Sequence, residues 1–493
     1  MKSKFLIIAA IIALSPMLVS FCGFYVSKAD GTLKNKTSQV IMVRDGNKTV
    51  ITMYNDFKGD TKDFAMVVPV PVVLRKDDIK VVDPSIFQRL NDYSAPRLVE
   101  YRDQNPCDRN RYEEYMKSSP MSAMDEKDMS ANGLINRKLS TVKIEAKYLV
   151  GEYDILILSA KESSGLKDWL NENGYKIPDG AEEVLDPYIK SNLKFFVVKV
   201  NEKEKKKLNN NFLSPIQISF NSPKFMLPIR LGMANADGDQ DLLIYAFTRK
   251  GRIECTNYRN VNIASNKNIP LFVQKNFSAF YSNLFDKQWN VEDKSVGFLE
   301  YAWDVSPQNF MKCDPCVAEA PSAQDLAQSG VWWLKDKDWS DYSDIDNDEP
   351  DNGSRNVHFT RLHFRYNRKS FPQDLVFQVT PNTQNFQARY VITHPATGSF
   401  TCDAGRQYVQ DLKKRRKKEL LELTALTGKN IDNWQEAASV KNDEEDVAAA
   451  QYANIITEIK EDMTKENNTP TGLLLISAAV LGTAGLMRWK GIV

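Results

Sequence analysis

The chain has 493 residues, 42% hydrophobic and 26% charged, a composition that fits a folded body of roughly two or three domains. Lys plus Arg (65) nearly cancels Asp plus Glu (64), so no broad basic field exists and general nucleic-acid binding is disfavoured. Three histidines, His358, His363 and His394, leave little material for His-based metal sites or proton shuttles.

Lys2 and Lys4 precede the apolar run 5–14, which Ser15-Pro16 breaks. That order reads as a secretory signal peptide over 1–20, cleaved after Ser20. A lipoprotein signal would instead acylate Cys22, but needs a small residue where Phe21 stands. Residues 38–54 hold two β-rich runs around Asp45-Gly46-Asn47-Lys48, a hairpin signal. The apolar strand 63–74 follows, and Pro69 and Pro71 confine its end to an edge or an exit from the sheet. A short helix is expected within 86–98. Residues 103–140 are polar and aperiodic and read as a long excursion. Two strands are expected over 141–160, a helix over 163–175 ended by Asn173-Gly174, a second short helix, and a strand over 193–200. Strands and turns alternate through 214–258. Residues 21–265 thus read as a β-rich domain with a helical insertion.

Residues 266–405 read as a second β-containing region. It carries the pair Cys313-Asp314-Pro315-Cys316, an amphipathic run before Trp332-Trp333 and an acidic insert over 336–354. Strand-like runs follow, up to His394. From 406 to 470 the chain reads as a charged helical stalk, and in its second helix Tyr452, Ile455, Ile456, Ile459 and Met463 line one face. Gly472 to Met487 form an apolar run followed by Arg488, Trp489 and Lys490. Sixteen residues span roughly 24 Å against a hydrocarbon core of ~30 Å, and snorkelling flanks make up the difference. A transmembrane anchor over 471–490 is expected, with the body outside the cytoplasm and the C-terminus inside it.

The strings VITMYNDFKGDTKDFAMVVPVP, GEYDILILSA, GLKDWLNENGY, CDPC, FTRLHFRY with DLVFQ, and FQARYVITHPATG occur in this order between Cys22 and Cys402. In them the chain resembles the family of domain of unknown function 2330. The resemblance implies an exported or surface protein of prokaryotes, often with a C-terminal anchor, and no established activity. That family usually opens on a motif with two cysteines. Here Cys22 stands alone, and the acidic stretch 336–354 lies outside the family pattern.

The chemistry-bearing residues point to no complete catalytic constellation. Cys313 and Cys316 have the spacing of a thiol-exchange site, but no strand precedes them and Pro321 delays any helix to about Ser322. A structural disulfide is the expected reading. Six cysteines, Cys22, Cys107, Cys255, Cys313, Cys316 and Cys402, allow fifteen full pairings. Asp344, Asp346 and Asp348 have the alternation of calcium-loop ligands, yet Glu349 occupies the place of the turn glycine and Arg355 that of the bidentate Glu. They leave a loose calcium site as the sole metal candidate. His394 lies near Ser399 without a nucleophile elbow, and reads as a strand-end hydrogen-bonding group. His358 and His363 stand at opposite parity on one strand and are expected on opposite faces. Lys413 to Lys418 form a basic run expected as a solvated helix face.

Taken together, the sequence predicts an α+β protein. It has a mostly antiparallel β body, small helical insertions, a C-terminal helix pair and one transmembrane helix. No cofactor is expected. The expected function is a structural or interaction module of the cell envelope, binding a protein or surface polymer. The alternative is an extracytoplasmic thiol-disulfide oxidoreductase or a hydrolase.

Overall fold

The structure is a computed structural model that describes residues 24–25, 37–54, 65–108, 142–173, 181–208, 213–235, 238–334, 355–430 and 457. The expected signal peptide, Cys22, the acidic insert with Asp344, Asp346 and Asp348, the expected second stalk helix apart from Thr457 and the apolar run 472–487 lie outside the described residues. Among the described residues no helix is long and apolar enough to cross a membrane.

The first ten strands are β1 (Phe24–Tyr25), β2 (Thr37–Asp45), β3 (Lys48–Tyr54), β4 (Ala65–Val70), β5 (Ile79–Val81), β6 (Arg97–Arg102), β7 (Val142–Val150), β8 (Tyr153–Ala160), β9 (Lys194–Val200) and β10 (Ile216–Asn221). The next ten are β11 (Met226–Leu227), β12 (Gln240–Thr248), β13 (Ile253–Cys255), β14 (Arg259–Asn262), β15 (Lys267–Asn268), β16 (Val296–Asp304), β17 (His358–Tyr366), β18 (Leu375–Val379), β19 (Phe386–Gln387) and β20 (Arg389–His394). The α-helices are α1 (Ser85–Ser94), α2 (Ser163–Glu172), α3 (Ala181–Lys190), α4 (Glu202–Lys207), α5 (Phe277–Val291), α6 (Ala323–Ser329) and α7 (Asp403–Thr427). The α+β class is therefore as the sequence indicates.

The chain divides into two compact units, each built from separated segments. In the first unit a nine-stranded sheet runs β14-β16-β17-β12-β2-β3-β10-β5, with β19 pairing β16. The β2–β3 hairpin forms where the sequence signals it, with Asp45 opposite Lys48 and Gly46 at φ 55°. Val40, Ile41, Met42 and Val43 are all buried, because both faces of β2 are covered. Val40 and Met42 face a five-stranded antiparallel sheet, β1-β4-β9-β8-β7, through Val68, Ile155 and Phe196. Ile41 and Val43 face Ile86, Phe87, Leu90 and Tyr93 of α1. The outer face of the five-stranded sheet takes Leu166, Trp169 and Leu170 of α2 and Leu185 and Tyr188 of α3. A short sheet, β11-β18-β13, completes the unit.

One feature differs from the sequence reading. β16 and β17 come from beyond residue 265, yet they extend the sheet that holds β2 and β3. Pairing is mostly antiparallel, as the sequence indicates, with exceptions. β2 with β12 and β14 with β16 are parallel, since long connections bring these strands together from distant parts of the chain.

The second unit holds the sheet β15-β20-β6, which is parallel throughout. α5 and α7 pack in the same unit. The ring of Phe280 meets that of Tyr390 edge-on at 5.0 Å, and Leu412, Leu420 and Leu423 of α7 are buried. α5 went unread in the sequence, although Phe277, Phe280, Tyr281, Leu284 and Phe285 carry the three-and-four spacing of a helix. Its aromatic residues favour strands as readily. Lys413 to Lys418 lie on α7, where Lys413, Lys414 and Lys418 are exposed as expected and one member of the run is buried. Arg416 is fully buried, donating to Glu419 at 2.9 Å and to the Thr393 carbonyl at 3.2 Å. Arg415 pairs with Asp103.

Candidate functional site: a stapled loop with exposed apolar side chains

β16 ends at Asp304, whose carboxylate accepts from the Ser306 amide at 2.9 Å. The Asn309 side chain donates to the Asp304 carbonyl at 2.8 Å and closes the first turn of a loop that ends before α6. Trp303 Nε1 donates to the Met311 carbonyl at 2.8 Å. The hydroxyls of Tyr93 and Tyr301 converge on the Lys312 carbonyl at 2.6 and 2.7 Å. Cys313 is buried against the α1 face of the sheet, and a disulfide joins it to the exposed Cys316. Gln387 donates to the carbonyls of Asp314 and Pro315, each at 3.3 Å. Backbone polar groups along the loop are thus tied to four side chains of the sheet and α1.

Against this fixed backbone, Phe310 is 83%, Met311 70% and Val317 58% exposed. Large apolar side chains held in water are unfavourable unless something covers them. Covering a Phe or Met side chain fully is worth about 1.5–3 kcal/mol each. Asp314 and Glu319 are exposed beside them, so the loop offers an apolar tip with an acidic rim. Lys312 is turned in, and burial lowers its ammonium pKa.

Thiol exchange finds little support in this geometry. A reactive Cys is activated at a helix N-terminus, and here the next helix, α6, starts at Ala323 with Ser322 as its cap. Of the remaining cysteines, Cys107 and Cys402 form a second disulfide with Cα atoms 5.9 Å apart, and Cys255 is free and buried. Burial raises the Cys255 thiol pKa.

The histidines do not converge. His358 sits at the start of β17 opposite Asp304, and burial lowers its pKa. His363 lies on the other face, with Nδ1 2.8 Å from Glu300 and Nε2 3.2 Å from Asp241. Arg361 and Arg365 join the same carboxylates, which makes a buried charge network that the sequence reading missed. Basic residues at 361, 363 and 365 alternating with Leu362, Phe364 and Tyr366 were its signal. Both ring nitrogens of His363 are engaged, so the ring presents no face to a substrate. His394 ends β20 and contacts Glu100 at 2.9 Å, while the Ser399 carbonyl accepts from Asn105. No group of His, Cys, Asp or Glu side chains among the described residues could hold a metal ion.

No curated protein and no solved structure matches the chain. The family described as "Uncharacterized protein conserved in bacteria (DUF2330)" matches residues 16–378, about three-quarters of the length, and the chain belongs to that family.

Proposed function

We propose that this bacterial protein is an exported, membrane-anchored interaction module of the cell envelope, and that the stapled loop docks into an apolar pocket on a partner protein. The observation that carries the reading is the exposure of Phe310, Met311 and Val317 on a backbone tied at Trp303, Tyr93, Tyr301 and Gln387. A loop ordered before docking forfeits less entropy on docking. The acidic rim of Asp314 and Glu319 disfavours an anionic bilayer surface and suits a pocket edged by cations. Export is supported by the N-terminal apolar run behind Lys2 and Lys4, by two disulfides, and by the apolar run 472–487 with its basic flank.

The test places a photo-crosslinking amino acid at position 310 of the full chain in intact cells. A discrete protein adduct should form at 310 and 317 and not at the exposed Val376. The substitutions F310S and M311S should reduce recovery of that adduct's partner at least tenfold. Their effect on stability should stay within about 0.5 kcal/mol, because both side chains are solvated. Equal recovery with F310S, or crosslinks to lipid alone, would overturn the docking role.

A further inference from the structure

A second region of the first unit carries a charge imbalance. Arg44 ends the buried run of β2, opposite Thr49 on β3, and is 5% exposed. Its Nη1 donates to Thr49 Oγ1 at 2.6 Å, to the Ser222 carbonyl at 2.9 Å and to the Asn47 carbonyl at 3.1 Å. Its Nη2 reaches the Pro223 carbonyl at 3.4 Å, and the guanidinium lies 5.2 Å from the centre of the Phe225 ring. Every one of these acceptors is neutral. Among the described residues no carboxylate pairs with Arg44. A buried cation without a counter-charge is costly, and burial accordingly lowers the pKa of this guanidinium.

Arg44 lines an open groove of ≈370 Å³. Arg249 and Lys250, from the turn after β12, stand on its wall, and Gln378 of β18 adds an amide. Among the described residues the sole carboxylate in the lining is Asp45, which is already bound to Arg249 at 3.1 Å. Phe225 and Phe377 supply an apolar floor, their rings 5.6 Å apart. With Arg249 paired to Asp45 and stacked on the Trp333 ring at 5.1 Å, Arg44 and Lys250 exceed the carboxylates of the described lining. The volume falls in the range of small-ligand pockets and exceeds what an inorganic ion needs.

We propose that this groove binds an oxyanion, a phosphate or carboxylate group carried on a molecule of about sugar size, with the buried Arg44 as its anchor. Arg249 and Lys250 then close on the anion from the solvent side, and the ring floor takes the apolar face of the carrier. The guanidinium is suited to the role because Nε and part of Nη2 are not consumed by the protein oxygens. The site is separate from the stapled loop, so either reading can fail without the other.

The experiment is titration calorimetry with the purified full chain, using a hexose phosphate, a hexuronate, inorganic phosphate and a neutral hexose. The sugar anions should bind and the neutral hexose should not, with affinity falling as salt rises. R249Q combined with K250Q should weaken binding at least tenfold, and K250Q alone should weaken it while leaving the melting temperature of the free protein unchanged, since Lys250 is exposed. R44K, which keeps the charge and loses the fork, should weaken it further. Should R44K fail to fold, the R249Q and K250Q pair decides alone. Inorganic phosphate competing against the sugar anions would support a group recognised whether free or carried. Absence of heat with every anion, equal binding of the neutral hexose, or unchanged affinity in the double variant would overturn the site.

Discussion

Arg361 Nε meets Glu300 Oε2 at 2.5 Å, with the two side chains 5% and 0% exposed. Glu300 sits at the irregularity where the β16–β17 register shifts between Leu299 and Tyr301, which turns its carboxylate toward Arg361 and His363. Asn91 of α1 accepts from Arg361 at 2.9 Å, so the pair also ties the sheet to its covering helix. Replacing Glu300 by Ala should cost about 3–5 kcal/mol, because it leaves buried cations without their partner. The check is urea unfolding of the purified body. A loss under about 1 kcal/mol would mean that water or a rearranged Asp241 compensates.

The same network predicts a two-armed pH dependence. Burial opposes ionisation of Asp241, yet His363 and Arg365 outweigh it and hold the carboxyl at about 2, below the ordinary 3.8. Its contribution is complete above 3.8 and is lost as pH falls through about 2. At ~1.4 kcal/mol per pKa unit it is worth roughly 2.5 kcal/mol. Burial likewise opposes the imidazolium of His363, yet Glu300 and Asp241 raise its pKa above 6.5. That contribution is complete below 6.5 and is lost as pH rises through the raised value. Urea midpoints should therefore decline in strong acid and again on the alkaline side. H363Q should flatten the alkaline decline and D241N the acid one. An unchanged alkaline decline in H363Q would assign that arm to another group.

Gly297 stands opposite Phe364 across β16 and β17, and the Phe364 ring covers it. A Cβ at 297 would lie 2.4 Å from the ring. Because Phe364 is fully buried with no room to turn aside, Gly297→Ala should cost about 1–3 kcal/mol. Thermal unfolding of that variant against F364L, alone and combined, measures the clash. The smaller side chain should recover part of the G297A loss.

The disulfide between Cys107 and Cys402 links positions 295 residues apart and holds the first turn of α7, where Cys402 is the N-cap. Removing it by C107S with C402S should lower stability by about 2–5 kcal/mol. Guanidinium unfolding of oxidised protein against the variant gives the value. C313S with C316S should cost less, since that bridge spans three residues. Its larger effect should be on how well Phe310 and Met311 are held, read as faster amide hydrogen exchange across 309–317.

Legibility followed locality. The β2–β3 hairpin was readable because turn chemistry and alternation fall within one short window, and α2 and α3 because their apolar spacing is amphipathic. The opposed faces of His358 and His363 also follow from short-range geometry, whereas Cys313 was read as stapled either locally or to another Cys, and the structure pairs it with Cys316. Non-local choices were invisible. Nothing in the Cys107 surroundings names Cys402, and β6 pairs β20 through a register set in space. The loop's exposed tip and the Arg44 groove belong to the same class. Each depends on which distant side chains fail to arrive, and a window of sequence carries no record of that.

The interleaving of segments has a consequence for how the polypeptide is made. β2 has no parallel neighbour until β12 exists, and β6 none until β20 does. In a chain synthesised N-terminus first, the parallel partner of β2 is complete only at residue 248 and that of β6 only at residue 394, so the second of these pairings must wait for about four-fifths of the polypeptide.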